Sequence, residues 1–173
     1  MEILKEIIGE INRFNQFIKH FPQGETDVQK VFDKLAEEGE DSYALQLMSK
    51  LPKNDKLVDF KVINNRIFAY GSIRTEGNIK AEILITSGSI EAGGFIEVDK
   101  YIKAKGSIEA GGSIDAGDCI ASGGSIEAGG LIIAGDSIEA RGSIEAGDCI
   151  TAGGFIEARR RIRAGEHTVT NGY

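Results

Sequence analysis

The sequence predicts a mainly β protein: a triangular β-helix of hexad strands, with 18 residues per coil and about six coils, behind a small N-terminal α-helical domain. Three observations carry that prediction. Thirteen isoleucines recur every six residues, from Ile90 to Ile162, without a break. The pentad Ser-Ile-Glu-Ala-Gly starts at Ser89, Ser107, Ser125 and Ser143, always 18 residues apart. Of 23 glycines, three precede residue 70 (Gly9, Gly24 and Gly39) and twenty follow it.

The N-terminal segment has a helical period. Ile3, Leu4, Ile7, Ile8, Ile11, Phe14, Phe17, Ile18 and Phe21 form one apolar stripe, and Pro22 ends that helix. Thr26 with Gln29 reads as a capping box opening a second helix, with Val28, Val31, Phe32, Leu35 and Ala36 on its buried side. Gly39 stops it, and Asp41 or Ser42 is placed to cap a third helix that runs to Leu51. Three short helices bury little surface alone, so residues 1–52 are expected to cap the solenoid that follows. The boundary falls at Pro52 and the polar run Lys53 to Lys56; residues 57–166 form the β-helix and 167–173 a polar tail.

Within the β-helix, alternation sends residues i and i+2 to one side of a strand and their neighbours to the other. The residue two after each isoleucine is small, alanine in eleven of thirteen cases, with Val98 and Ser122 the exceptions. Each hexad is then a strand with isoleucine and alanine inside, followed by a two-residue corner where glycine is expected to supply the needed φ. Three hexads make one coil of a β-solenoid. The pattern continues back through Ile85, Ile79, Ile73 and Ile67, with one residue missing before Ile90.

The outward side chains sort into three faces. The first stacks Glu91, Glu109, Glu127 and Glu145 beside the four serines and ends in Arg163. The second carries Phe95, Ser113, Leu131 and Cys149 with Glu97, Asp115, Ile133 and Thr151. The third carries Tyr101, Cys119, Ser137 and Phe155 with Lys103, Ala121, Glu139 and Glu157. Like charges stacked on adjacent strands oppose folding, so the glutamate ladder reads either as a solvated face or as an acidic strip for a basic partner. Phe95, Tyr101, Leu131, Ile133 and Phe155 break the consensus at outward positions. Scattered surface apolar residues are ordinary, but Phe95, Leu131 and Ile133 share one face and read first as a contact for the N-terminal helices and second as partner-binding residues, with Tyr101 and Phe155 grouped among the partner-binding candidates. Asp118 aligned with Asp136 at one corner has no ligand set behind it.

Composition and motifs exclude several classes. At 41% apolar the chain is not disordered, and 23 glycines with only two prolines are not collagen. No apolar run approaches a membrane span, and acids interrupt the N-terminal pattern, so neither a span nor a signal peptide is expected. Two cysteines make a disulfide framework improbable and the cytoplasm the default. A net charge of −7 disfavours nucleic acid and favours a basic or mixed protein surface. The only histidines are His20 and His167, and no regular coil supplies the histidine base of a hexapeptide acyltransferase. Cys119 and Cys149 fall on different faces, so no metal pair or thiol–base site is expected. No phosphate-binding or dinucleotide fingerprint occurs, and no cofactor is expected.

The runs GDCIASGGSIEAGG and GLIIAGDSIEARG place aliphatic, small and Gly-Asp positions in an order that resembles the β-helical domain of the bactofilins. The likeness covers about residues 67–165. It implies a right-handed triangular β-helix and end-to-end polymerisation. Bactofilin cores have short disordered tails, whereas here a helical domain abuts the first coil, and Arg159, Arg160, Arg161 and Arg163 precede the tail. Both ends are therefore expected to be capped. The leading expectation is a non-catalytic acidic solenoid, monomeric or dimeric, that binds and inhibits a protein partner in the manner of immunity proteins or phage antagonists of host defence. The alternatives are a bactofilin-like filament former and a hexapeptide acyltransferase-like enzyme.

Overall fold

The computed structural model describes residues 27–170. The expected first helix, Pro22 and Thr26 lie outside them, as do residues 171–173 of the tail. Two helices follow, α1 (Val28–Glu38) and α2 (Asp41–Lys50). From Arg66 onward the chain forms eighteen strands, β1 (Arg66–Ala69) through β18 (Thr168–Thr170), paired in parallel into three six-stranded sheets. Every third strand joins the same sheet, so the chain is a six-coil parallel β-solenoid whose three sheets fit a triangular prism.

Pairing is isoleucine on isoleucine and alanine on alanine. Ile126 stacks between Ile108 and Ile144, and Ala128 between Ala110 and Ala146. All three isoleucines are fully buried. Ser122 replaces alanine inside the prism, and its hydroxyl is satisfied there: it donates to the carbonyls of Gly106 (2.8 Å) and Ser125 (3.2 Å) and accepts from Gly124 N–H.

Several details differ from what the sequence predicts. The short coil is the first one: Ile67 pairs with Leu84, Ile73 with Ile90 and Ile79 with Ile96, each 17 residues apart. The missing residue therefore falls between Ile79 and Leu84, not before Ile90. Leu84 fills the prism, while Ile83 and Ile85 point outward under the helices. Three aliphatics in a row satisfy alternation either way, and helical packing decides which way.

The cap of α1 also differs. Asp27 is its N-cap and accepts from Gln29 N–H at 3.0 Å. The Gln29 side chain reaches across to β1 instead, donating to the Phe68 carbonyl and accepting from Tyr70 N–H, both at 2.8 Å. Neither Asp41 nor Ser42 caps α2, whose N-cap is Glu40. Asp41 is held instead by Arg66 through two hydrogen bonds, at 2.5 and 3.2 Å.

The helices cover a side of the prism. Phe32, Leu35, Leu47 and Met48 bury Phe68, Ile83 and Ile85 on the third face. Smaller devices cover part of the open edge of the first coil. Gln29 imitates a strand partner for β1 as described. The segment after Pro52 covers the neighbouring stretch, with Val58 N–H donating to the Ser72 carbonyl and Ser72 N–H to the Lys56 carbonyl. Val58 and Phe60 pack under the end of the core. An Asn64-Asn65 turn with both φ positive (46° and 61°) then leads into β1, as expected of a tight hairpin turn.

The corner glycines serve close approach, not backbone freedom. Among the described glycines only Gly39, the C-cap of α1, has a positive φ, 71°. A Cβ at Gly111, Gly135 or Gly147 would instead run into the carbonyl oxygen of the glycine one coil below, at Gly93, Gly117 or Gly129. The coils stack too tightly at these corners for any side chain.

At the other end, residues 168–170 of the expected polar tail continue the solenoid. They form β18, with Thr168 in register with Ile150 and Thr170 with Ala152. Ile162 is 39% exposed and Phe155 50%, so the last described coil presents apolar groups.

Candidate functional site

The first face is the sheet containing the pentads, and its register is the one the 18-residue period predicts. Arg74, Glu91, Glu109, Glu127, Glu145 and Arg163 occupy one row. Beside it, each serine hydroxyl accepts from the backbone N–H of the serine one coil further on: Ser72 from Ser89 (2.9 Å), Ser89 from Ser107 (3.1 Å), Ser107 from Ser125 and Ser125 from Ser143 (both 3.2 Å). These serines are structural, satisfying corner amides that the sheets leave unpaired. They fix the strands that carry the carboxylates.

The ladder is neutralised at its ends and not in its middle. Arg74 binds Glu91 at 2.6 Å, and Arg161 binds Glu145 at 2.5 Å. Glu109 and Glu127 are exposed and have no cationic partner among the described residues. Glu109, Glu127, Glu145 and Arg163 line a shallow groove of about 480 Å³. Arg74, which bounds the ladder on the first coil, escaped the sequence reading because the 17-residue coil shifts it out of the 18-residue frame.

The second face carries Phe95, Leu131 and Ile133, all half-buried. The two described helices do not pack there, and the expected first helix lies outside the described residues. Helical packing uses the third face, where Tyr101 alone of the five apolar exceptions joins the cluster under α1 and α2. Burial pushes the Tyr101 hydroxyl up to about 12. Phe95 lies under the Lys80 ammonium, 5.1 Å from the ring centre, and Lys80 also binds Glu97 at 2.7 Å. Asp115 stands between Glu97 and Ile133 in that row, and burial, then the charge of Glu97, raises its carboxyl. Phe155 stays exposed near the far end of the third face.

The third face is tied to the helices by charge. Glu82 takes Lys100 at 2.6 Å and Arg66 at 3.3 Å, and Arg66 also holds Asp41. The Lys100 hydrogen bond, followed by the Arg66 charge, holds the Glu82 carboxyl below its usual range despite some desolvation. A depressed carboxyl contributes stability that is present above its unfolded pKa and lost as pH falls through its folded one. Glu82→Gln is therefore expected to flatten the acid limb of stability against pH, read as urea midpoints from neutral pH to about pH 3. Lys105 closes α2 by donating to the Leu51 carbonyl, and burial lowers its ammonium.

One juxtaposition was not read from the sequence. Cys149 and His167 occupy equivalent positions one coil apart, and Glu166 precedes His167; their ligand atoms all lie within 4.8 Å of one another. The spacing from 149 to 167 is the coil period itself, so the signal was present. The polar composition of residues 167–173, which reads as a tail, conceals it. The Asp118–Asp136 corner forms no comparable group among the described residues.

The fold and its faces define a parallel β-solenoid protein with chemically distinct sides. No protein-family model matches the sequence, and no curated protein or solved structure matches it. No described helix is long and apolar enough to cross a membrane.

Proposed function

We propose that this is a non-catalytic binding protein whose first face receives a basic segment of a protein partner. One observation carries the reading: Glu109 and Glu127 are adjacent in register, exposed and without a cation, while arginines bind the carboxylates on either side of them. Carboxylates on neighbouring strands, about 4.8 Å apart, repel. A lysine or arginine supplied from outside relieves that repulsion on a surface that needs no rearrangement. A partner whose basic surface is occupied in this way is blocked, which is the inhibitory role proposed for the protein. The net charge of −7 speeds encounter with such a partner.

The test uses a lysine-rich peptide titrated calorimetrically into the full chain. Glu109→Lys with Glu127→Lys is expected to abolish binding and leave the circular dichroism spectrum unchanged. Glu139→Lys with Glu157→Lys, on the third face, is expected to preserve most of it. Equal losses from both pairs mean that net charge alone governs binding, and the site assignment is then wrong.

The bactofilin resemblance supports a second reading, self-assembly, and one observation favours it: the exposed Ile162 and Phe155 of the last described coil. Because Gln29 and Lys56 to Val58 occupy the first coil's edge, this reading gives pairing through one end. Sedimentation velocity separates the two readings, since a discrete dimer supports self-association and a monomer across all concentrations removes it.

A further inference from the structure

We propose that Cys149, Glu166 and His167 form a binding site for a thiophilic divalent transition metal of the zinc class, which clamps the last strand onto the coil below. The backbone places the three groups. Ile150 N–H donates to the His167 carbonyl at 3.0 Å, and Glu166 N–H donates to the Asp148 carbonyl at 2.9 Å. The pair Asp148-Cys149 is thereby stacked on Glu166-His167, and the side chains of Cys149 and His167 leave the same face in the same register. Cys149 Sγ lies 3.7 Å from Glu166 Oε2. Two ligands of a tetrahedral zinc ion, one sulfur and one oxygen, stand about 3.5 Å apart given bonds of about 2.3 and 2.0 Å. The third ligand atom, on the imidazole, is within 4.8 Å of both, so small rotations of two exposed side chains close the set.

The donors select the metal. One thiolate, one imidazole and one carboxylate suit zinc and cobalt, and disfavour magnesium and calcium, which take oxygen. Three protein ligands leave a fourth position for water. Binding releases the thiol proton to solvent, so affinity rises with pH. The set exists only when β18 is paired with β15 (Ile150–Ala152). Metal therefore stabilises the folded last coil by mass action, and β18 gains a fastening besides its single ladder.

The direct test is titration of the full-length protein with cobalt(II), then displacement by zinc. The expected result is one equivalent bound, with the strong visible bands of a tetrahedral centre and a thiolate charge-transfer band, both lost in Cys149→Ser and in His167→Ala. Cys119→Ser is expected to leave the spectrum unchanged. Zinc, and not magnesium, is expected to raise the midpoint of thermal unfolding in the wild type, and His167→Ala to lose that shift while keeping the apo midpoint. Absence of the bands, or a spectrum that survives Cys149→Ser, overturns the proposal. A spectrum lost with Cys119 also overturns it. The readout is independent of peptide binding at Glu109 and Glu127, so failure of either proposal leaves the other standing.

Discussion

Gly135→Ala is expected to destabilise the solenoid by about 1–3 kcal/mol or more, read as a lower urea midpoint. The added methyl collides with the carbonyl oxygen of Gly117, a backbone atom that cannot rotate away. Relief requires the two coils to separate at that corner. Each coil is stabilised chiefly by its neighbours, so the loosened corner weakens the ladder on both sides. Gly77→Ala is the matched control. Gly77 lies in the first coil with no corner beneath it, and the heavy atom nearest an added Cβ is the Thr75 hydroxyl oxygen at 3.8 Å. That variant is expected to be neutral or slightly stabilising, because alanine restricts the unfolded chain. If both variants behave alike, the glycines serve backbone conformation and close stacking is not their purpose.

Ile126→Ala is expected to cost about 2–5 kcal/mol. Ile126 is fully buried between Ile108 and Ile144 in the middle of the prism, and parallel coils held in register collapse poorly around a missing side chain. Ile162→Ala removes the same atoms from a site already 39% exposed and is expected to cost much less. Urea denaturation of both variants measures the difference, and equal costs contradict the assignment of the core to the middle coils.

Much of this architecture was legible because the repeat is redundant. Thirteen isoleucines and four pentads overdetermine the strand positions and the coil length, and the row of Glu91, Glu109, Glu127 and Glu145 follows by counting. What escaped lies where redundancy fails. Ile83-Leu84-Ile85 reads equally well in two registers, and only the helices above it choose. Thr168 takes an isoleucine position without being isoleucine, so the hexad pattern does not mark β18. Glycine at a corner has two physical explanations, and the sequence does not separate φ from close approach. Gln29 looked like half of a capping box because nothing in its neighbourhood reveals that it reaches Phe68 and Tyr70. The glutamate row was visible from the sequence, while the arginine clamps at its ends, and hence the isolation of Glu109 and Glu127, emerged only from side-chain geometry.

A protein built this way keeps its backbone uniform and varies its sides, so function is assigned to a face. The most direct measurement is a charge exchange across the proposed interface. Wild-type protein is titrated with a lysine-rich peptide, and the Glu109→Lys, Glu127→Lys variant with both that peptide and its glutamate-rich counterpart. The variant is expected to lose the basic peptide and gain the acidic one, with an unchanged circular dichroism spectrum. Loss without gain, or binding of the basic peptide undiminished, contradicts the proposed interface.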